Sequence, residues 1–193
     1  MKDYTKFINS YLARFAETLS KIDKAQINAF INALEDARAR GAQIFTMGNG
    51  GSASTASHFV CDFNKGLSYG FDAPRYKFIC LNDSLPTLTA YANDVSYADA
   101  YLEALKNYFR AGDVVIGISG SGNSKNVLKA VEYANANGGI TVGLTGYGGG
   151  ELKKIAKLSV HIPADDMQIA EDAHMMLDHL AMSAIRDSYK NSD

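Results

Sequence analysis

The chain has 193 residues, with 19 Lys and Arg against 21 Asp and Glu and a formal net charge of −2. It has no dense basic cluster that could follow a phosphate backbone, which argues against nucleic acid as a direct partner. No apolar run approaches the roughly 18 residues that span a bilayer, and the opening MKDYTKFINS lacks the apolar core of a secretion signal, so no membrane association and a cytoplasmic location are expected. The length suits one domain over residues 1–193 with a single substantial core. Cys61 and Cys80 lack the spacing of a thiolate zinc site or a disulfide framework and read as buried reduced thiols.

In chain order, residues 3–40 read as two amphipathic helices, DYTKFINSYLARFAETLSKI and DKAQINAFINALEDARARG, with Gly41 suited to the stop. Five short apolar runs follow: QIFTM (43–47), YKFICL (76–81), VVIGI (114–118), ITVGL (140–144) and LSVHI (158–162). They lack polar alternation, as parallel strands covered on both faces do. Helical patterns at 52–65, about 97–109, 123–136 and 150–157 separate them, and a long helix over about 167–189 closes the chain. The alternation predicts an α/β fold: an open, doubly wound, five-stranded parallel sheet behind an amino-terminal helical hairpin. Ligands of such sheets bind beyond the carboxyl ends of the strands.

Two loops rich in Gly and Ser fall at that edge, GNGGSAS (48–54) after the first strand and SGSGNS (119–124) after the third. Short hydroxyls and free amides at a helix start, favoured by the helix dipole, are what a phosphate needs. One serine would be explained as a helix cap; Ser119, Ser121 and Ser124 together point to an anion site. No GxxxxGK[ST] pattern is present, which excludes the usual triphosphate cradle. Gly48, Gly50 and Ala53 satisfy a permissive dinucleotide fingerprint, but the ribose-binding acid has only Asp72, in an irregular stretch, or the later Asp83 to supply it.

His58 and Asp62, four apart, share one face of the helix after the first strand, as a metal-binding pair or an ordinary hydrogen-bonded one. The last helix, AEDAHMMLDHLAMSAI, brings Glu171, His174, Asp178 and His179. Its core stripe is expected at Ala173, Leu177, Leu180 and Ala184, with Glu171, His174 and Asp178 opposite and His179 to one side. Two imidazoles with carboxylates suit zinc or a similar divalent ion. Glu171 and His179 are about 12 Å apart along the helix, so His174 with Asp178 stands as a rival local pair.

GNGGSASTASHF, YANDVSYADAY, GDVVIGISGSGNSKNVLKAV, VGLTGYGGG and EDAHMMLDH occur in the order and at the spacings of the sugar isomerase (SIS) family, which the chain resembles over nearly its whole length. The likeness is greatest to the family's phosphoheptose isomerases, aldose-ketose isomerases that convert sedoheptulose 7-phosphate into D-glycero-D-manno-heptose 7-phosphate. The resemblance implies a flavodoxin-like SIS fold, a homotetramer assembled through the amino-terminal hairpin, and a phosphorylated sugar as partner. It makes Ser119, Gly120, Ser121 and Ser124 the phosphate loop, with Asn49, Gly50, Gly51, Ser52, Asn93 and Asp94 around the sugar. His58, Asp62, Glu171 and His179 become the metal set; two imidazoles with oxygen ligands suit one zinc ion, and for the isomerisation Asp62 or Glu171 is expected to move the carbon-bound proton and His179 to serve the oxygen. The sequence departs from the family at three of these positions, where Glu usually stands at 62, Gln at 171 and Thr at 120. A phosphosugar-binding adaptor of the same fold is the alternative reading; it would have no need of the four metal-binding groups.

Overall fold

The computed structural model describes residues 1–190. Helices α1 (Thr5–Ser20) and α2 (Lys24–Arg40) form the expected hairpin. The Asp23 carboxylate caps α2 by accepting from the Ala25 amide at 2.8 Å, and Gly41 ends it in the left-handed region at φ 67°. The strands are β1 (Ile44–Gly48), β2 (Phe78–Cys80), β3 (Val114–Ser119), β4 (Ile140–Thr145) and β5 (Leu158–His161). They lie in the order β2-β1-β3-β4-β5, and every adjacent pair is parallel. Register runs from Ile44 opposite Val114 to Gly48 opposite Ile118, so the loops leaving β1 and β3 emerge side by side.

Every residue of β1 and β3 is buried, which explains their unbroken apolar runs. Alternate residues serve opposite faces. Ile44, Ile116 and Ile118 pack with α2, with α3 (Gly51–Cys61) and with α8 (Met167–Lys190). Phe45, Met47 and Val115 pack with α5 (Ala100–Lys106), α6 (Lys125–Ala136) and α7 (Leu152–Ile155). A further helix, α4 (Leu85–Tyr91), precedes α5 where no helix was expected. Cys80 is buried as expected, whereas Cys61, at the end of α3, is exposed.

The expected stripe of α8 is displaced by about one residue. Leu180 and Ala184 are exposed, and the buried face is Ala170, Ala173, His174, Leu177, Asp178, Ala181 and Ile185. His174 and Asp178 therefore lie within the apolar face, not opposite it. The cause is that α8 passes over both the sheet edge and the end of α3, and it needs small residues there; Ala170 stands where a side chain on Gly146 would have to go.

Past Cys61, α3 continues as a π-helical turn, Asp62–Leu67. Phe63 in that turn stacks on Phe78 of β2 at 4.5 Å between ring centres, and Phe59 stacks on both. Arg186 of α8 donates to the Gly66 carbonyl at 3.0 Å, and Met182 fills the space beside Gly66. The end of α3 is thereby held against the middle of α8. A second π-helical turn, Ala92–Ser96, joins α4 to α5.

The loop after β3 is braced by the loop after β4. The Leu152 amide donates to the Gly122 carbonyl and the Gly146 amide to the Gly120 carbonyl, both at 2.9 Å. Gly122 has φ 68°, and a Cβ there would lie 2.0 Å from the Gly149 carbonyl oxygen. Gly122→Ala is therefore expected to cost at least about 2 kcal/mol, from the left-handed conformation and the clash together. A fall of the urea midpoint with an unchanged slope checks this.

Candidate active site

Ser119 ends β3 buried, Ser124 precedes α6 half-buried, and Ser121 is exposed between them. The Ser119 and Ser124 hydroxyls are 3.1 Å apart and those of Ser119 and Ser121 3.5 Å. Ser124 holds the capping position of α6, yet its hydroxyl makes no capping hydrogen bond. The simple capping explanation thus fails for the one serine placed to do it. Ser121 does accept from the Asn123 amide at 3.2 Å. The hydroxyls converge on a cavity of about 140 Å³ that Asn49, Ser52, Gly120, Met167 and Glu171 also line. Ser121 and Met167 border a wider depression of about 690 Å³ beside it. Met167 sulfur occupies the space that a side chain at Gly120 would fill, 2.6 Å from the Cβ position, so the methionine closes that side of the cavity.

Asn49 couples the two glycine- and serine-rich loops. Its side chain forms a reciprocal amide pair with Asn126 of α6, at 3.0 and 2.9 Å, and its oxygen also accepts from Tyr97 at 2.6 Å and Tyr101 at 3.1 Å. Asn82 brackets Gly48, donating to its carbonyl at 2.9 Å and accepting from its amide at 3.2 Å. Asn126, Tyr101, Tyr97 and Asn82 escaped the sequence reading; for Asn126 and Tyr101 a polar group on a helix otherwise patterned as core was the available signal, while Tyr97 and Asn82 lie in turns and gave none. Asn93 and Asp94 bond each other at 2.7 Å on the exposed second π turn and do not line the serine-loop cavity.

His58, Asp62 and His179 do come together. The Nε2 atoms of His58 and His179 are 3.1 Å apart, and Asp62 reaches each ring, with oxygens 3.6 Å from His58 and 3.9 Å from His179. Asp178 joins them: one ligand atom from each of the four lies within 4.8 Å of every other. Tetrahedral ligands about 2.0–2.2 Å from a zinc ion are roughly 3.4 Å apart, so a small inward movement would let this group hold a divalent cation. The donor chemistry fits as well, with two imidazole nitrogens and carboxylate oxygens. Glu171 does not join this group. Its carboxylate lies against Gly51, 2.3 Å from where a Cβ would be, at the serine-loop end of α8.

His174 and Asp178 are fully buried, and none of their side-chain nitrogen or oxygen atoms has a hydrogen-bond partner among the described residues. Burial first, and then the charge of Asp62, push the Asp178 carboxyl up to about 8. Burial pulls the His174 imidazole down to about 4; the Thr145 backbone opposes this without reaching hydrogen-bond geometry, and nearby His161 adds to it.

The matched family model is that of the SIS domain, over residues 3–146, and the serine loop beside a parallel sheet edge is consistent with it. The phosphoheptose isomerase of Chlorobium phaeobacteroides (strain DSM 266) is 34% identical over 179 residues, 91% of this chain and 78% of that protein. That of Helicobacter pylori (strain P12) is 32% identical over 182 residues, 94% of this chain and 92% of that protein. The structure of phosphoheptose isomerase GmhA from Neisseria gonorrhoeae matches with a TM-score of 0.87 at 25% identity, covering 96% of this chain and all of that one. Within the SIS proteins, this chain belongs to the phosphoheptose isomerase family and is an isomerase.

Ser121→Ala with Ser124→Ala is expected to weaken phosphosugar binding by 10-fold or more, since each hydrogen bond to a charged group contributes about 1.5–3 kcal/mol. Titration calorimetry on the folded double variant checks it, and unchanged affinity would remove the loop from the site. Between pH 6.5 and about 4 the unfolded chain binds a proton that folded His174 refuses, so this residue costs stability as pH falls. Asp178 acts with the opposite sign, its proton being held more tightly in the fold than in the unfolded chain. The share of His174 is therefore read by difference. In metal-free protein, His174→Phe should gain on the unsubstituted chain by roughly 2–3 kcal/mol over that range, measured by denaturant titration at each pH.

Proposed function

We propose that this protein isomerises sedoheptulose 7-phosphate to D-glycero-D-manno-heptose 7-phosphate, as a cytoplasmic homotetramer with one zinc ion per chain. The observation that carries the reading is the pairing of two unlike polar groups along α8. Glu171 lines the serine-loop cavity, and His179, about 12 Å further along the helix, belongs to the imidazole and carboxylate group. A substrate with phosphate at one end and a carbonyl at the other matches that separation in kind.

Isomerisation moves a proton between adjacent carbons and needs a base at carbon, an acid at oxygen and stabilisation of the developing oxyanion. Ser119, Ser121 and Ser124 would hold the phosphate as a remote handle, with Asn49 and Ser52 orienting the chain of hydroxyls. Zinc bound through His58, Asp62 and His179 would supply Lewis-acid polarisation of the carbonyl. Asp62, at the position where the family carries glutamate, would move the carbon-bound proton, and His179 would serve the oxygen. Glu171, at the phosphate end, would act on which anions the cavity accepts more than in proton transfer.

Assembly is supported by α1 and the Tyr4 before it: Tyr4, Phe7, Ile8 and Leu12 are exposed at helical spacing, an apolar strip that association would cover. Domain organisation follows the same reading, with residues 1–40 serving oligomerisation and 41–193 assigned to the sheet unit, the last three of them lying outside the described residues. Cytoplasmic location fits a chain in which no described helix is long and apolar enough to cross a membrane.

Incubation with a panel of ketose phosphates tests the assignment: aldose formation is expected from sedoheptulose 7-phosphate, and its absence there with turnover of another ketose would replace the substrate. Asp62→Asn is expected to lower kcat by about 10²–10⁴ while leaving phosphosugar affinity near its starting value. Chelation should abolish turnover reversibly, and full activity in verified metal-free protein would remove the Lewis acid. Light scattering should return four chains per particle.

A further inference from the structure

We propose that Asp178 is a metal ligand of this chain, completing the site with His58, Asp62 and His179 in the place that family resemblance gives to Glu171. The inference rests on the zinc reading above and names a ligand that the reading does not contain.

Three observations carry it. One ligand atom of Asp178 lies within 4.8 Å of one from each of the other three residues. Both Asp178 oxygens are buried and neither has a hydrogen-bond partner among the described residues. Position 178 falls on the buried face of α8 with Ala173, Leu177, Ala181 and Ile185, an otherwise largely apolar face on which a carboxylate has no packing role. A buried carboxylate without a partner costs several kcal/mol and is ordinarily paired or bound to a metal. Asp62 beside it is no hydrogen-bond partner and, when ionised, repels it. A divalent cation among the four residues resolves both difficulties, giving the orphaned oxygens a ligand and two facing carboxylates a common counter-charge.

Glu171 offers no comparable fit. It is two turns towards the start of α8, and its carboxylate is placed against Gly51 and the serine-loop cavity. Asp62 and Asp178 together give the site two carboxylates, so the two imidazoles and a dication form a neutral assembly.

Binding of cobalt(II), and of zinc in competition with it, is measured on the full-length chain by calorimetry and by the cobalt visible absorption, with no substrate present. The unsubstituted protein is expected to take up one ion per chain with the intense absorption of low-coordinate cobalt. Asp178→Asn should weaken binding about 100-fold or alter that absorption, whereas Glu171→Gln should leave both unchanged. Asp178→Leu, which replaces the orphaned carboxylate by an aliphatic group of similar size, should melt higher than the unsubstituted chain without metal and lose the metal-induced rise. It keeps the test decisive if the asparagine variant misfolds. Loss of the ion in Glu171→Gln with retention in both Asp178 variants overturns the proposal while sparing the metal. Failure of the unsubstituted chain to bind either ion overturns the proposal and the zinc reading together, leaving the substrate assignment to its own assay.

Discussion

The amide pair between Asn49 and Asn126 is the contact on which the site depends. In the strand order β2-β1-β3-β4-β5 the chain winds one way from β1 and the other way from β3, so a crevice opens between the ends of those two strands. Nothing in the sheet ladder controls how wide it stands above the last paired residues, Gly48 and Ile118. The reciprocal hydrogen bonds of the two asparagines fix that width, and Tyr97 and Tyr101 hold the Asn49 oxygen from the other side. Because Asn126 is buried in the first turn of α6, the pair transmits its constraint to the start of the serine loop's helix. The hydroxyls and the loop after β1 therefore address one cavity.

α8 is the second organiser, and it is built against ordinary packing economy. A helix that lays one face on a sheet is most stable with that face wholly apolar. Here the face holds an imidazole and a carboxylate without hydrogen-bond partners among the described residues, one turn apart. Desolvation of such groups runs to several kcal/mol. The stacked Phe59, Phe63 and Phe78, together with Arg186 on the Gly66 carbonyl, hold α8 and the end of α3 together despite it. The strain is local to the segment where the imidazoles meet, as expected where function and stability draw on the same side chains.

Much of the architecture was legible in the sequence because its physics is local. Unbroken runs such as VVIGI announce strands covered on both faces, and Asp23 with Gly41 marks the bounds of α2 by capping chemistry alone. His58 and Asp62 were recoverable for the same reason, since spacing of four on a helix fixes adjacency. The misread face of α8 shows where such reasoning ends. Leu180 and Ala184 look like core and His174 and Asp178 like surface only if polarity decides which face is buried; in the folded chain the sheet edge selects small residues, and two polar groups go in with them. α4 went unseen because LPTLTAY is too short to show a period. Asn126 and Tyr101 were hidden inside patterned helices, their roles set by groups more than 50 residues away in the chain.

The carboxylate of Glu171 against Gly51 has a consequence for affinity. Gly51 opens α3, so the free protein already sets an anion at a helix start facing the serine loop. A phosphate held by the serine loop, at the start of α6, would share the cavity with that carboxylate and be repelled by it. Binding then has that repulsion to offset. A charge fixed on the protein weighs equally on every phosphate that enters, so weakly held anions such as free inorganic phosphate are disfavoured and ligands whose sugar portion adds contacts of its own are favoured.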